Sequence, residues 1–280
     1  MKIQTFSVVV GGKKCNATCP YCVSKMTGDD GICEEINFRN FRKACQFAGN
    51  SGVTTVLLTG KGEPTLYPDL ITKYLEEILH HFPFVELQTN GIALPELDEY
   101  LKVWYDLGLT TISLSCAHWE DAKNKEILGN NYDSLEKYIK ICHKNKLSVR
   151  VSCVMVDNYI CTVESVSEFA IRCKDWDVEQ FTVRPVSMPA ENDNREVANW
   201  VRNNWIYPCT QTKIDDYFDN NAVLLLKLAH GAKVYDYEGQ NISINNCLTE
   251  NTNPDDIRQL IFFPDGHLRF SWVYSGAILL

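Results

Sequence analysis

The feature that most constrains this chain is a rhythm of six short β-rich runs, each followed by a segment with helical periodicity. The runs are Ile3–Val10, Val53–Thr59, Phe84–Gln88, Thr110–Ser115, Leu147–Val156 and Val178–Val186. Val53–Thr59 (VTTVLLT) is continuously apolar, as expected of a strand buried on both faces. Between the runs, Asn37 is placed to cap a helix that reaches about Ala48 and stops at Gly49 and Gly52. Asp69–His81 sets Leu70, Tyr74, Leu75 and Ile78 on one helical face, and Leu94–Leu107, Asp133–Lys144 and Val163–Lys174 complete the helices. Strands alternating with helices imply a parallel sheet with right-handed crossovers. Eight such units close a barrel; the six here predict an α/β fold with an incomplete parallel (β/α)6 barrel.

The texture changes after Pro189. AENDNREVANWVRNNW reads as a polar loop and an amphipathic helix, and Ala222–His230 as a further helix ending at Gly231. Arg258–Phe263 and His267–Val273, around Pro264-Asp265-Gly266, form a hairpin candidate. Its alternating Leu260, Phe262, Leu268, Phe270 and Trp272 predict a face that must be buried. The expected organisation is a partial barrel over residues 1–189 and a C-terminal α+β extension, 190–280, that covers it.

Composition narrows the function classes. A net charge of −9 counts against a phosphate-backbone binder and makes nucleic acid an unfavoured partner. No run of about 18 apolar residues suggests a membrane span, and the first residues lack the pattern of a signal peptide, so a cytoplasmic location is expected. Twelve cysteines in such a chain favour metal binding over a disulfide scaffold.

Three of those cysteines stand close together, in CNATCPYC at 15–22. Cysteine thiolates are the usual ligands of iron–sulfur clusters, and Cys15, Cys19 and Cys22 can cover three irons of a cubane while the fourth stays open. A zinc site completed by Cys33 or a remote ligand, within a binding module without catalysis, is the alternative; a ferredoxin-like electron carrier is another. Cys45, Cys142, Cys153, Cys161 and Cys173 are scattered over predicted helices and strands and read as small core hydrophobes. In the extension, Cys209 and Cys247 lack close C-x2-C pairing, which disfavours a second cluster; Cys247 is a candidate hydrogen-atom donor in catalysis.

The spacing C-x3-C-x2-C, with Tyr21 before the last cysteine and a strand before the first, resembles the radical S-adenosylmethionine (SAM) superfamily. The resemblance covers about residues 3–186 and is nearest in layout to the branch of molybdenum-cofactor and peptide-modifying members. It implies a 4Fe–4S cluster and SAM as cofactors, with the open iron chelating SAM and a 5′-deoxyadenosyl radical as the product of its cleavage. Gly60-Lys61-Gly62-Glu63 resembles the family's Gly-Gly-Glu motif, which implies that Gly60, Gly62 and Glu63 hold the SAM ammonium; Lys61 is a departure from that motif. Gln88-Thr89-Asn90-Gly91 resembles a Thr-Asn-Gly segment at the third strand's end. Ser113 and Ser115 match positions that face SAM, and Arg150 and Ser152 match the level of its carboxylate or ribose contacts.

Other residues carry chemistry on their own account. Arg150 and Ser152 are two apart on one strand and share a face, and an arginine facing a barrel interior needs an anionic partner. Arg184, ending the sixth strand, suggests an anionic substrate group or a contact to SAM. His118, after the fourth strand, is a candidate acid or base, although a helix-start role is equally consistent with its position before Glu120. The expected function is abstraction of a hydrogen atom from a small molecule or nucleotide, with a flavodoxin or ferredoxin as reductant. A peptide-modifying enzyme acting on a peptide substrate and a glycyl-radical activating enzyme are the alternatives within the resemblance.

Overall fold

The computed structural model describes residues 3–25, 35–79, 81–187, 194–228, 231–244, 257–272 and 274–280. Its first two-thirds follow the predicted rhythm. β1 (Ile3–Val9), α1 (Phe38–Asn50), β2 (Thr55–Thr59), α2 (Pro68–Ile78), β3 (Phe84–Thr89), α3 (Asp98–Asp106) and β4 (Thr111–Cys116) alternate strictly. Two helices, α4 (Asp121–Leu128) and α5 (Leu135–Lys144), then precede β5 (Ser148–Met155), α6 (Val163–Asp175) and β6 (Gln180–Pro185). β1 to β6 are neighbours in sequence order and every pair is parallel, as right-handed βαβ units require. The sheet does not close, so the architecture is an incomplete parallel (β/α)6 barrel.

Local chemistry accounts for the helix boundaries. Asn37 caps α1, its Oδ1 accepting from Asn40 N at 3.1 Å. Thr162 and Ser165 form a capping box at the start of α6. The predicted helix Leu94–Leu107 is divided, with a 3₁₀ turn at Leu94–Glu96 before α3, because Pro95 fits a first turn but not a helix interior. The intervening α4 has no strong apolar stripe, and periodicity does not predict it.

The extension departs further from expectation. It adds α7 (Arg195–Asn203), α8 (Pro208–Asn221), β7 (Val223–Lys227), β8 (Lys233–Tyr237), β9 (Gln240–Ile244), β10 (Ile257–Phe262) and β11 (Leu268–Arg269). The run after Ala222, read as a helix, is the edge strand β7; five apolar-rich residues between turns suit either state, and pairing with β8 decides it. His230, the proposed end of that helix, lies outside the described residues. The strands also lengthen the barrel sheet at both ends: β9 joins β6 and β10 joins β1, both in parallel. One sheet therefore runs across the expected boundary at residue 189. The predicted hairpin forms as β10–β11, with Leu260, Phe262 and Leu268 buried. Phe270 is a correction: it is 49% exposed, because the antiparallel pairing ends at Arg269 and alternation ends with it. Among the described residues no helix is long and apolar enough to cross a membrane.

Candidate active site

Strand register sorts the side chains of β1–β6 onto two faces. Phe6, Val8, Val56, Leu58, Val85, Leu87, Ile112, Leu114, Val149, Val151, Phe181 and Val183 are all buried on the face covered by helices. The other face is mostly polar. Gln88, Ser113, Arg150 and Gln180 form one row, and Ser115, Ser152 and Thr182 the next. Parallel sheets covered on both sides are normally apolar on both. A polar face is what the interior of an open barrel requires if ligands bind there.

The cysteine loop follows β1 and leans over the C-terminal ends of β2, β3 and β4, where sites in such folds are built. Glu63 N donates to Lys14 O at 3.0 Å, and Thr18 N to Leu128 O at 2.9 Å at the end of α4. Lys25 Nζ donates to Cys19 O at 2.9 Å. A Cβ at Gly62 would collide with the backbone of Gly12, Lys13 and Lys14, so this glycine lets the β2 turn press against the cysteine loop.

Glu63 is only 3% exposed and thoroughly engaged. Its Oε1 accepts from Thr65 N at 3.0 Å and from the hydroxyls of Thr65 and Thr89, both at 2.6 Å. Its Oε2 accepts from Asn90 N at 2.9 Å. Burial pushes its pKa up, against the pull of these four donors. The carboxylate thus ties the exit of β2 to the exit of β3. Asn90 carries the tie onward, its Nδ2 donating to Asn16 Oδ1 at 2.8 Å and approaching Cys15 Sγ at 3.8 Å. The sequence marks the Thr-Asn-Gly segment without giving Asn90 a place in the site; the polar residue next to a turn was the available signal.

The donor set suits a cluster. Cys15 is exposed and Cys19 and Cys22 half-buried, on one short loop. Burial raises the pKa of Cys15, and that of Cys19 to about 12 with Cys22 and Cys15 adding to the rise. Without a cationic group the Cys15 and Cys19 thiols keep their protons; iron would displace them. Cys15 Sγ also accepts from Ala17 N at 3.4 Å, a contact that favours the thiolate. Among the described residues no three Cys, His, Asp or Glu side chains converge on one metal ion. A cubane does not ask for convergence, since each thiolate binds its own iron.

The remaining candidates separate clearly. Arg150 finds its anionic partner within the protein: Glu86 on β3, with Gln88 Nε2 also donating to Glu86 at 3.0 Å. Arg150 Nε reaches Ser113 Oγ at 3.4 Å. Ser113 and Ser152 are buried, and Ser115 is half-buried in the row that contains Ser152. His118 Nδ1 accepts from Glu120 N at 2.9 Å, which places it at the start of α4, and burial lowers its pKa. Asn124, fully buried, fixes the same turn by accepting from Ala117 N and His118 N and donating to His118 O. Arg184, at the mouth end of β6, shares its face with Val154. Cys247 and Cys33 lie outside the described residues. Cys45, Cys142, Cys153 and Cys173 are buried as expected of core hydrophobes, with burial raising each thiol's pKa.

Over the mouth lies α7. Trp200 packs on Tyr21 of the cysteine loop, ring centroids 5.7 Å apart. Val197 and Val201 of the same helix join Val154, Val156 and Val186 in a separate apolar cluster.

Residues 9–170 match the family model described as the Radical SAM superfamily. An uncharacterized protein of Methanocaldococcus jannaschii is 33% identical over 134 residues, covering 47% of this chain and 41% of that protein. A GTP 3′,8-cyclase of Clostridium acetobutylicum is 33% identical over 104 residues, 36% of this chain and 31% of the cyclase. The match thus spans less than half the length of either curated relative. Among solved structures, SuiB of Streptococcus suis bound to its precursor peptide SuiA superposes with a TM-score of 0.64 at 16% identity. That match takes in 97% of this chain and 60% of SuiB, and the likeness is one of fold.

Proposed function

The chain belongs to the radical SAM superfamily, whose members bind a 4Fe–4S cluster and SAM, and from that premise we propose that Cys15, Cys19 and Cys22 hold the cluster of an enzyme acting on a small-molecule or nucleotide substrate. The observation that carries this reading is the set of ties holding the three-cysteine loop to the exits of β2, β3 and α4, above the polar sheet face. Held by Cys15, Cys19 and Cys22 and fed by a reductant such as flavodoxin or ferredoxin, a bound cluster would supply the one-electron reduction of SAM that starts hydrogen-atom abstraction from the substrate.

The chain's own residues orient and enclose. The β2 turn from Gly60 to Glu63 offers backbone carbonyls to the SAM ammonium, and Glu63 positions that turn through its four hydrogen bonds. Ser113, Ser115 and Ser152 supply hydroxyls to the polar parts of SAM, and Arg150, held by Glu86 and Ser113, stands at the level of its carboxylate. Residues 190–280 act as a closing extension, with α7 and Trp200 keeping water from the mouth.

A second reading, a peptide substrate, takes its support from the whole-chain likeness in fold to SuiB, which was captured with its precursor peptide. The test is anaerobic reconstitution followed by iron, sulfide and SAM-cleavage analysis. Wild type is expected to bind about four irons per chain and release 5′-deoxyadenosine, and Cys19→Ala to lose both activities. Wild-type iron content in Cys19→Ala would end the assignment.

A further inference from the structure

The charged side chains on the polar face of β1–β6 are Glu86, Arg150 and Arg184. Glu86 and Arg150 neutralise each other. Arg184 is left over: among the described residues none accepts a hydrogen bond from its guanidinium or pairs with it. A guanidinium brings five donors in a planar fork, and leaving them unused in a recess is costly. The side chain is half-buried, yet it is so surrounded by protein that loss of hydration is the largest influence lowering its pKa. The Arg150 charge lowers it further, and Tyr21, Cys153 and Glu86 oppose that only in part. Val154, the neighbour of Arg184 in the β5–β6 register and on the same face, belongs with Tyr21 and Trp200 to the apolar cluster under α7. An anion there would meet a cation in a poorly screened setting.

We propose that Arg184 anchors an anionic group of the substrate, a carboxylate or a phosphate, so that the substrate of this enzyme is an acid. The inference rests on the reading of this face as the active site. Arg184 stands on β6, four strands from β2, or roughly 19 Å along the sheet at the usual strand spacing. A group held there is separate from one held at the Gly60–Glu63 turn. Bidentate pairing suits both carboxylate and phosphate.

The test uses the cluster-reconstituted enzyme under anaerobic conditions at low salt. Inorganic phosphate and succinate are titrated calorimetrically, with SAM titrated separately. Wild type is expected to bind at least one of the two anions, and Arg184→Gln to bind it at least tenfold more weakly while keeping SAM affinity within twofold. Arg184→Lys, which keeps the charge and loses the fork, should fall between them, and decides the matter if the Gln variant does not fold. Phosphate against succinate separates the two sources of the anion. The proposal is overturned if wild type binds neither anion, if Arg184→Gln or, failing that, Arg184→Lys binds them like wild type, or if SAM affinity alone collapses. A wild-type protein that holds no iron and no SAM would instead defeat the functional reading; the same anion titrations on that unloaded protein, wild type against Arg184→Gln, still decide the anion site.

Discussion

Replacing Glu63 with Gln separates a carboxylate that grips a ligand from one that holds two loops together. With the amide oxygen at the Oε1 position, three hydrogen bonds from Thr65 and Thr89 survive in weaker form. The amide nitrogen then faces Asn90 N, donor against donor. One charge-assisted hydrogen bond is lost outright, about 1.5–3 kcal/mol. At roughly 2–3 °C per kcal/mol for a chain of this size, the melting temperature should fall by about 3–9 °C. Burial raises the Glu63 pKa, so its protonated form is the better accommodated one. Wild type therefore carries stability below the usual glutamate pKa that is lost as pH rises through the folded value, and the Glu63→Gln variant carries no such dependence. The gap between the two proteins should widen on acidification. Scanning calorimetry of both reconstituted proteins, at neutral and mildly acidic pH, gives the comparison. An unchanged melting temperature alongside a large loss of SAM affinity would refute the loop-tying role and restore a direct ligand role.

Arg150→Met should cost about 3 kcal/mol or more in urea denaturation, because it strands the buried Glu86 carboxylate; adding Glu86→Gln should recover more than half of the loss, and simple additivity would refute the pairing. Asn90→Ala removes the Nδ2 donor near Cys15 Sγ and the tie to Asn16. The reconstituted cluster should become harder to reduce in a titration followed by electron paramagnetic resonance, and an unmoved midpoint would deny Asn90 any influence on the cluster.

The barrel was legible because its strands are short, apolar and regularly spaced, so that one periodicity settles six elements. The cysteine loop was legible because its chemistry lies in eight consecutive residues. The extension was not. VLLLK fits helix or strand equally until β8 is beside it, and the parallel docking of β9 and β10 joins residues far apart in sequence. The polar network was half legible. Arg150 was seen to need an anion, and Glu86 stood in a strand with the right alternation, but only register brings them together. Gly62 was marked by the motif, but its contact with the backbone of Gly12, Lys13 and Lys14 joins segments nearly fifty residues apart and shows only in the fold.

The parallel pairing of β10 with β1 has a consequence for biosynthesis. The strand that leads into the cysteine loop keeps one edge bare until residues 257–262 arrive. At ribosomal speeds that interval is roughly 10–50 s. For that time the nascent barrel offers a strand able to pair with other chains, and the half-made loop beside it is open to metal ions of the wrong kind. β10, made near the end of the described chain, thus seals the edge from which the first chemistry-bearing loop emerges, and cells lacking chaperone capacity should yield more aggregate than inactive monomer.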